Sequence, residues 1–173
     1  FYELISWSFA ILLAIFFAFV IIMFFGIKTS MVGSSMEPVI YNGQNVYINK
    51  VAYNLSSPKR GDIIVFKPNG NQNSHLYIKR VIGLPGEKIK IDNGHVYIND
   101  EVYNDDVVFD TKEAGVASSE IILDTDEYFV LGDNRTNSED SRSANIGNVK
   151  TSMIEGKVWY RLKFKDKKAG RIK

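Results

Sequence analysis

Hydrophobic residues are arranged in two different ways along this chain. From Ile5 to Ile27 there are 23 residues without a charge, rich in Phe, Ile and Ala and bracketed by Glu3 and Lys28. At about 1.5 Å per residue, a helix of that run crosses the roughly 30 Å hydrocarbon core of a bilayer. A cleavable leader has a shorter apolar region and ends at small residues. Here the run ends in Phe24-Phe25-Gly26-Ile27-Lys28, which offers no such site. The pattern therefore predicts a retained, single-pass membrane anchor, with Trp7 near one end suited to the interface. Lys28 lies on the side of the remaining chain, so the positive-inside rule does not set the topology.

Beyond the anchor the apolar block gives way to short β-type segments separated by turn residues. Asn45–Asn49 and Ile63–Phe66 are expected strands, divided by the loop Ser56-Ser57-Pro58-Lys59-Arg60-Gly61. Leu76 to Ile82 is another, stopped by Gly83-Leu84-Pro85-Gly86, where Pro lacks an N–H and Gly accepts positive φ. Lys88–Asp92 and His95–Ile98 flank Asn93-Gly94, the dipeptide favoured in two-residue type I′ hairpins. A second turn at Asn99-Asp100 leads to Val102-Tyr103, and Tyr128–Leu131 and Lys157–Tyr160 supply further strands. Asp105 to Glu120 follows neither period and is expected to be a surface loop. The fold class is mostly β, with antiparallel sheets preceded by one transmembrane helix. This divides the chain into an anchor (1–28), a β-rich catalytic domain (29–165) and a basic C-terminal tail (166–173).

Composition narrows the chemistry. The absence of Cys excludes disulfides, thiolate metal sites and cysteine nucleophiles. With only His75 and His95, a histidine-rich metal site is not expected, and no cofactor is implied; each His suits a surface strand or turn. A net charge of +1 argues against a nucleic-acid partner. The charge is unevenly spread: Asp92 to Glu139 holds thirteen acids against Lys112 and Arg135, whereas the last thirteen residues hold seven bases against Asp166. A basic end can touch anionic lipid, and a solvated end is the simpler reading.

Two segments carry candidate chemistry. Ser35 lies in Gly33-Ser34-Ser35-Met36-Glu37-Pro38, and Lys79 in the apolar run Tyr77-Ile78-Lys79-Arg80-Val81-Ile82. A serine hydroxyl is a poor nucleophile until a neighbouring base takes its proton, and a lysine serves only when its pKa has been lowered. Near the ordinary value of about 10.4, only about 0.04% of lysines are neutral at pH 7. Burial against Ile78, Val81 and apolar surface disfavours the ammonium, and a fall to roughly 8 leaves about a tenth neutral. Alone, Ser35 suits a turn and Lys79 a solvated strand position.

Four blocks in order change that balance. They are Gly33 to Pro38, Arg60-Gly61-Asp62-Ile63-Ile64-Val65-Phe66, Tyr77 to Glu87, and Gly132-Asp133-Asn134-Arg135-Thr136-Asn137-Ser138-Glu139-Asp140-Ser141-Arg142. With the anchor ahead of them, they resemble the bacterial type I signal peptidases, membrane-anchored serine proteases that remove leaders from exported proteins. The likeness reaches to about Arg161. It implies Ser35 as nucleophile and Lys79 as general base, with Ser34 and Met36 completing the nucleophile motif. The Ser35 N–H then helps form the oxyanion hole, whose donors face the charge that develops on the scissile carbonyl.

The resemblance further implies that Arg80 pairs with Asp133, on the strand face opposite Lys79, and that Asp140 pairs with Arg142, both as architecture. Ser138 resembles the family serine that bonds and orients the lysine. Gly33 departs from one well-known form of the motif, in which a serine at this position gives a second oxyanion donor. Members from Gram-positive bacteria often carry Gly there, so the departure points to such a form. A family subgroup uses histidine in place of lysine; the Lys79-Arg80-Val81-Ile82-Gly83 register favours lysine over the nearby His75.

The function implied is cleavage of exported preproteins after small residues at the first and third positions before the scissile bond. The enzyme would sit in the cell membrane with its catalytic domain on the extracytoplasmic side, in contact with the lipid bilayer. Two other readings compete. A self-cleaving Ser-Lys repressor of the SOS response requires a DNA-binding segment where this chain has its apolar span. A non-catalytic signal-peptidase-like factor would instead bind exported subunits during pilus or surface-protein assembly, and the presence of both Ser35 and Lys79 argues against it.

Overall fold

The computed structural model describes residues 2–25, 27–54, 56–71, 75–104, 111 and 113–172, without the side chains of 22–25. Helix α1 (Tyr2–Phe25) takes the apolar run. Its side chains are exposed around the helix as far as Ile21, apart from the half-buried Val20. By length and composition it is long and apolar enough to cross a membrane, and none of that span is buried among the described residues.

Strand β1 (Ile27–Ser30) follows at once and pairs antiparallel with β2 (Asn45–Asn49), setting Ile27 opposite Ile48. The strand therefore starts inside the segment assigned above to the anchor. No periodicity marks Ile-Lys-Thr-Ser as β; its pairing with β2 decides it.

The remaining strands of the larger sheet are β3 (Ile63–Phe66), β4 (Tyr77–Gly83), β9 (Glu127–Leu131), β10 (Val149–Lys150), β11 (Ile154–Arg161) and β12 (Gly170–Arg171). Its order is β1-β2-β11-β3-β4-β9-β10, with β12 beside β11. All pairs are antiparallel. Along β11, β3 pairs only as far as Val158, which leaves the flank at Tyr160–Arg161 to β12. Part of the segment assigned to the tail is thus a strand, because it covers an otherwise open edge.

β3 sits at the centre of the sheet and is buried at all four positions. Ile63 and Val65 enter a core with Met31, Met36, Ile40 and Ile78, while Ile64 and Phe66 enter a second core with Val81, Tyr128 and Val130. A strand covered on both faces needs apolar residues at consecutive positions, which accounts for the unbroken Ile-Ile-Val-Phe run.

A second sheet, in the order β7-β6-β5-β8, contains β5 (Lys88–Asp92), β6 (His95–Ile98), β7 (Glu101–Tyr103) and β8 (Ile121–Ile122). Asn93 and Gly94 have φ of 49° and 82°, the two positive values a type I′ turn requires. Asn99 and Asp100 also have positive φ, at the turn into β7. Ile89, Ile91, Val96 and Ile98 face inward and pack with Ile82, Leu123 and Phe129. Gly83 permits this contact, since a Cβ there would lie 2.7 Å from Ile89 and 2.8 Å from Leu123. Of the expected loop from Asp105 to Glu120, residues 105–110 and 112 lie outside the described residues, and Gly115–Ser118 forms a 3₁₀ turn.

Candidate active site

Lys79 is carried by β4 in the middle of the larger sheet and is 3% exposed. Cross-strand partners share a face, and Lys79 stands opposite Ile64. By strand alternation its other same-face neighbours are Tyr77 and Val81, while Ile78 turns to the opposite core with Val65. Ile64, Tyr77 and Val81 therefore share the face of Lys79, and Ile78 does not. The Lys79 amine lies 5.5 Å from the centre of the Tyr77 ring.

Burial is the main influence on this amine and lowers its pKa from 10.5 to about 8. Asp140 and Glu139 act in the opposite direction, Arg142 adds to the lowering, and Asp133 opposes it. At neutral pH about a tenth of the molecules then carry a free amine at this position.

Ser35 is brought to Lys79 from 44 residues away, and its Oγ lies 2.7 Å from Nζ. The Ser35 turn is held at both ends. Met36 is 0% exposed in the β3 core, and its carbonyl accepts the N–H groups of Val39 and Ile40. On the other side, the Asn134 N–H donates to the Ser35 carbonyl at 2.9 Å, and the Asn134 amide donates to the Ser34 carbonyl at 3.3 Å. The Ser35 N–H has no hydrogen-bond acceptor among the described residues.

The loop that grips Ser35 is itself held by two buried ion pairs. Arg80 meets Asp133 through two bonds of 2.7 Å and donates a third, of 2.8 Å, to the Gly61 carbonyl. Asp140 accepts the Gly132 N–H at 3.0 Å and pairs with Arg142 at 2.8 and 2.9 Å. Arg142 also donates to the carbonyls of Arg135 and Glu113. Both carboxylates are almost wholly buried, so Asp133 depends on Arg80, and Asp140 on Arg142 and on the Gly132 N–H.

Ser138 is placed differently from the role its motif implied. Its Oγ is buried, has no hydrogen-bond partner among the described residues and makes no bond to Lys79. It packs instead against Gly132, where a Cβ would approach Ser138 Oγ to 2.2 Å.

Ser34, Ser35 and Lys79 open into a cleft of about 710 Å³ between the end of β1 and the first half of β4. His75 is at its exposed rim. Three contributors were not singled out from the sequence: Tyr77, Asn137 and Glu139. Strand alternation, two residues from Lys79, was enough to find Tyr77. No local signal links Asn137 to Ser34, 103 residues away, although its amide donates to the Ser34 Oγ at 2.7 Å. Glu139 accepts from the Tyr77 hydroxyl at 3.3 Å. Among the described residues, no group of three or more His, Asp or Glu is placed to hold a metal.

A hydroxyl against a buried amine of lowered pKa is the pairing that nucleophilic hydrolysis needs. Comparison with known proteins identifies the family. The family described as "Signal peptidase, peptidase S26" matches residues 4–163. The chain is 34% identical over 149 residues to signal peptidase I P of Bacillus subtilis subsp. natto, covering 82% of this chain and 80% of that protein. It is 32% identical over 175 residues to signal peptidase IB of Staphylococcus aureus strain Mu50, covering 92% and 89% respectively. A crystal structure of a signal peptidase I from Enterococcus faecalis V583 aligns with a TM-score of 0.47 and 33% identity, over 59% of this chain and 97% of that one.

The protein is accordingly a hydrolase of the serine endopeptidase class. The match runs through the anchor-like helix, both core faces and all four motif blocks. The chain belongs to the signal peptidase I family.

Proposed function

We propose that this chain is a membrane-anchored signal peptidase that removes leaders from exported preproteins, with Ser35 as nucleophile and Lys79 as general base. The observation that carries the reading is the 2.7 Å approach of Ser35 Oγ to an amine that burial keeps partly neutral. The neutral Lys79 amine takes the Ser35 proton as the Oγ–carbon bond forms and the carbonyl π pair moves to oxygen. The Ser35 N–H, free of any other acceptor, donates to that oxygen. Collapse breaks the C–N bond, and the Lys79 ammonium returns the proton to the leaving amine. A water then attacks the acyl ester with Lys79 again as base, restoring Ser35 and releasing the second product.

Substrate binding follows from the ladder. β9 pairs with β4 only from Arg80 onward, whereas β3 covers the other flank of β4 back to Tyr77. The open flank at Tyr77–Lys79 lines the cleft and can accept an extended peptide as an added strand. A strand held there presents alternate side chains to the protein, in keeping with a requirement for small residues at the first and third positions before the scissile bond.

Helix α1, about 36 Å long at 1.5 Å per residue, serves in this reading as the bilayer anchor. It confines enzyme and leader to one interface on the extracytoplasmic side and so raises their effective concentration. The test is cleavage of a preprotein ending its leader in Ala-x-Ala by the detergent-solubilised chain. Ser35→Ala and Lys79→Ala should each reduce turnover by at least about a thousandfold. Full cleavage by either variant would remove the dyad, and a parent protein that binds the preprotein without cutting it would favour a role in assembly.

A further inference from the structure

Gly33 leaves the oxyanion site one donor short. It has no side chain to offer, and its N–H is already committed to Asn42 Oδ1 at 3.1 Å. A donor must therefore come from elsewhere in the turn if the developing charge is to be met by more than the Ser35 N–H. Ser34, between the two, lines the same cleft and is half-buried.

The hydrogen bonds of Ser34 leave its proton uncommitted. A serine hydroxyl has one proton to give and two lone pairs to receive with. Asn137 occupies one lone pair at 2.7 Å, and among the described residues the Ser34 O–H has no acceptor. Asn137 cannot receive through the nitrogen that donates, so the bond directs the Ser34 proton away from it. The same loop sets the Ser34 and Ser35 carbonyls through Asn134, which places the hydroxyl and the nucleophile on one frame.

We propose that the Ser34 hydroxyl, oriented by Asn137, is the second oxyanion donor of this chain, in place of the side chain that Gly33 lacks. Ser34 gives no proton up: it donates a hydrogen bond to the carbonyl oxygen while the Ser35 Oγ–carbon bond forms and Lys79 holds the Ser35 proton. The inference rests on the dyad reading above.

Steady-state cleavage of a preprotein at a pH well above the Lys79 limb tests it, with the full chain in detergent. Ser34→Ala should lower kcat about a hundredfold with KM within about twofold, the split expected for a donor used only in the transition state. Ser34→Thr, which keeps the hydroxyl, should retain most of kcat. Asn137→Asp supplies a carboxylate that takes the Ser34 proton for itself, so it should reproduce the loss, and adding it to Ser34→Ala should cost little more. The pH at which the rate rises should be the same in Ser34→Ala as in the parent.

A Ser34→Ala kcat within about twofold of the parent would overturn the proposal and leave the second donor to a backbone N–H. Full additivity of Ser34→Ala and Asn137→Asp would overturn the orienting role of Asn137. If Ser34→Ala is poorly folded, Ser34→Thr against Ser34→Val makes the same comparison at nearly constant volume. A parent that does not turn over, or a Ser35→Ala variant that does, overturns the dyad itself and is thereby distinguished from failure of the Ser34 assignment alone.

Discussion

Gly132 and Ser138 touch so closely that no side chain fits between them. A Cβ on residue 132 would lie 2.2 Å from Ser138 Oγ and 2.5 Å from the Ser35 carbonyl oxygen. Gly132→Ala must therefore shift either the loop or the nucleophile turn. We expect a loss of about 1–3 kcal/mol in urea unfolding, the usual range for overpacking, with a fall in kcat of at least about tenfold. Ser138→Ala, by contrast, removes a buried hydroxyl without a partner and should leave stability unchanged or raised.

Activity should rise with pH through the Lys79 limb. The free amine is the active form, and burial sets its pKa at about 8, so kcat/KM increases as pH passes from 7 to 9. Glu139 acts to raise that pKa, so Glu139→Gln should move the limb to lower pH. A limb that stays in place in that variant would show that the carboxylate is screened in solution.

The same burial makes the folded state unfavourable for the ammonium. Because the folded pKa lies below the ordinary 10.5, the unfolded chain holds an extra proton between about pH 8 and 10.5, and stability rises with pH across that window. Below about pH 8 the whole cost is present, on the order of 3 kcal/mol from the size of the shift. Lys79→Met should be inactive yet more stable than the parent at pH 7, with the gain shrinking toward pH 10.5. Chemical denaturation at pH 7 and pH 10 checks both the sign and the trend.

Arg80 and Asp133 should be unequal to replace one at a time. Removing the carboxylate leaves a charged guanidinium in a largely buried position, so Asp133→Ala should cost about 3 kcal/mol or more. Arg80→Lys retains the charge but loses the two-point fit, and should be milder in stability. Both should lower kcat more than they raise KM, because the pair holds the loop that grips the Ser35 carbonyl.

Much of this protein is legible in short segments. Asn93-Gly94 specifies its hairpin because both residues tolerate positive φ, and an uncharged run of 23 residues has few alternatives to a membrane-length helix. The four motif blocks name Ser35 and Lys79 as candidates through their resemblance to a known family, which also implies the pairing of Arg80 with Asp133. Strands β1, β8, β10 and β12 carry no such pattern, since each is too short or too exposed to display a period and exists only through its partner.

Local residue order thus determines element type and the two-sided burial of β3, because these depend on dihedral preference and spacing; the candidate dyad is named by the resemblance of the motif blocks to a known family. Tertiary structure alone decides how the dyad meets. The 2.7 Å contact between Ser35 and Lys79, the Asn137 bond to Ser34 and the closeness of Ser138 to Gly132 join positions that are far apart in sequence or turned by a loop. Such contacts depend on sheet order and packing, which no single segment contains. The lowered pKa of Lys79 belongs with them, since desolvation is a property of what surrounds the amine: Ile64 across the ladder and the Tyr77 ring on its own strand.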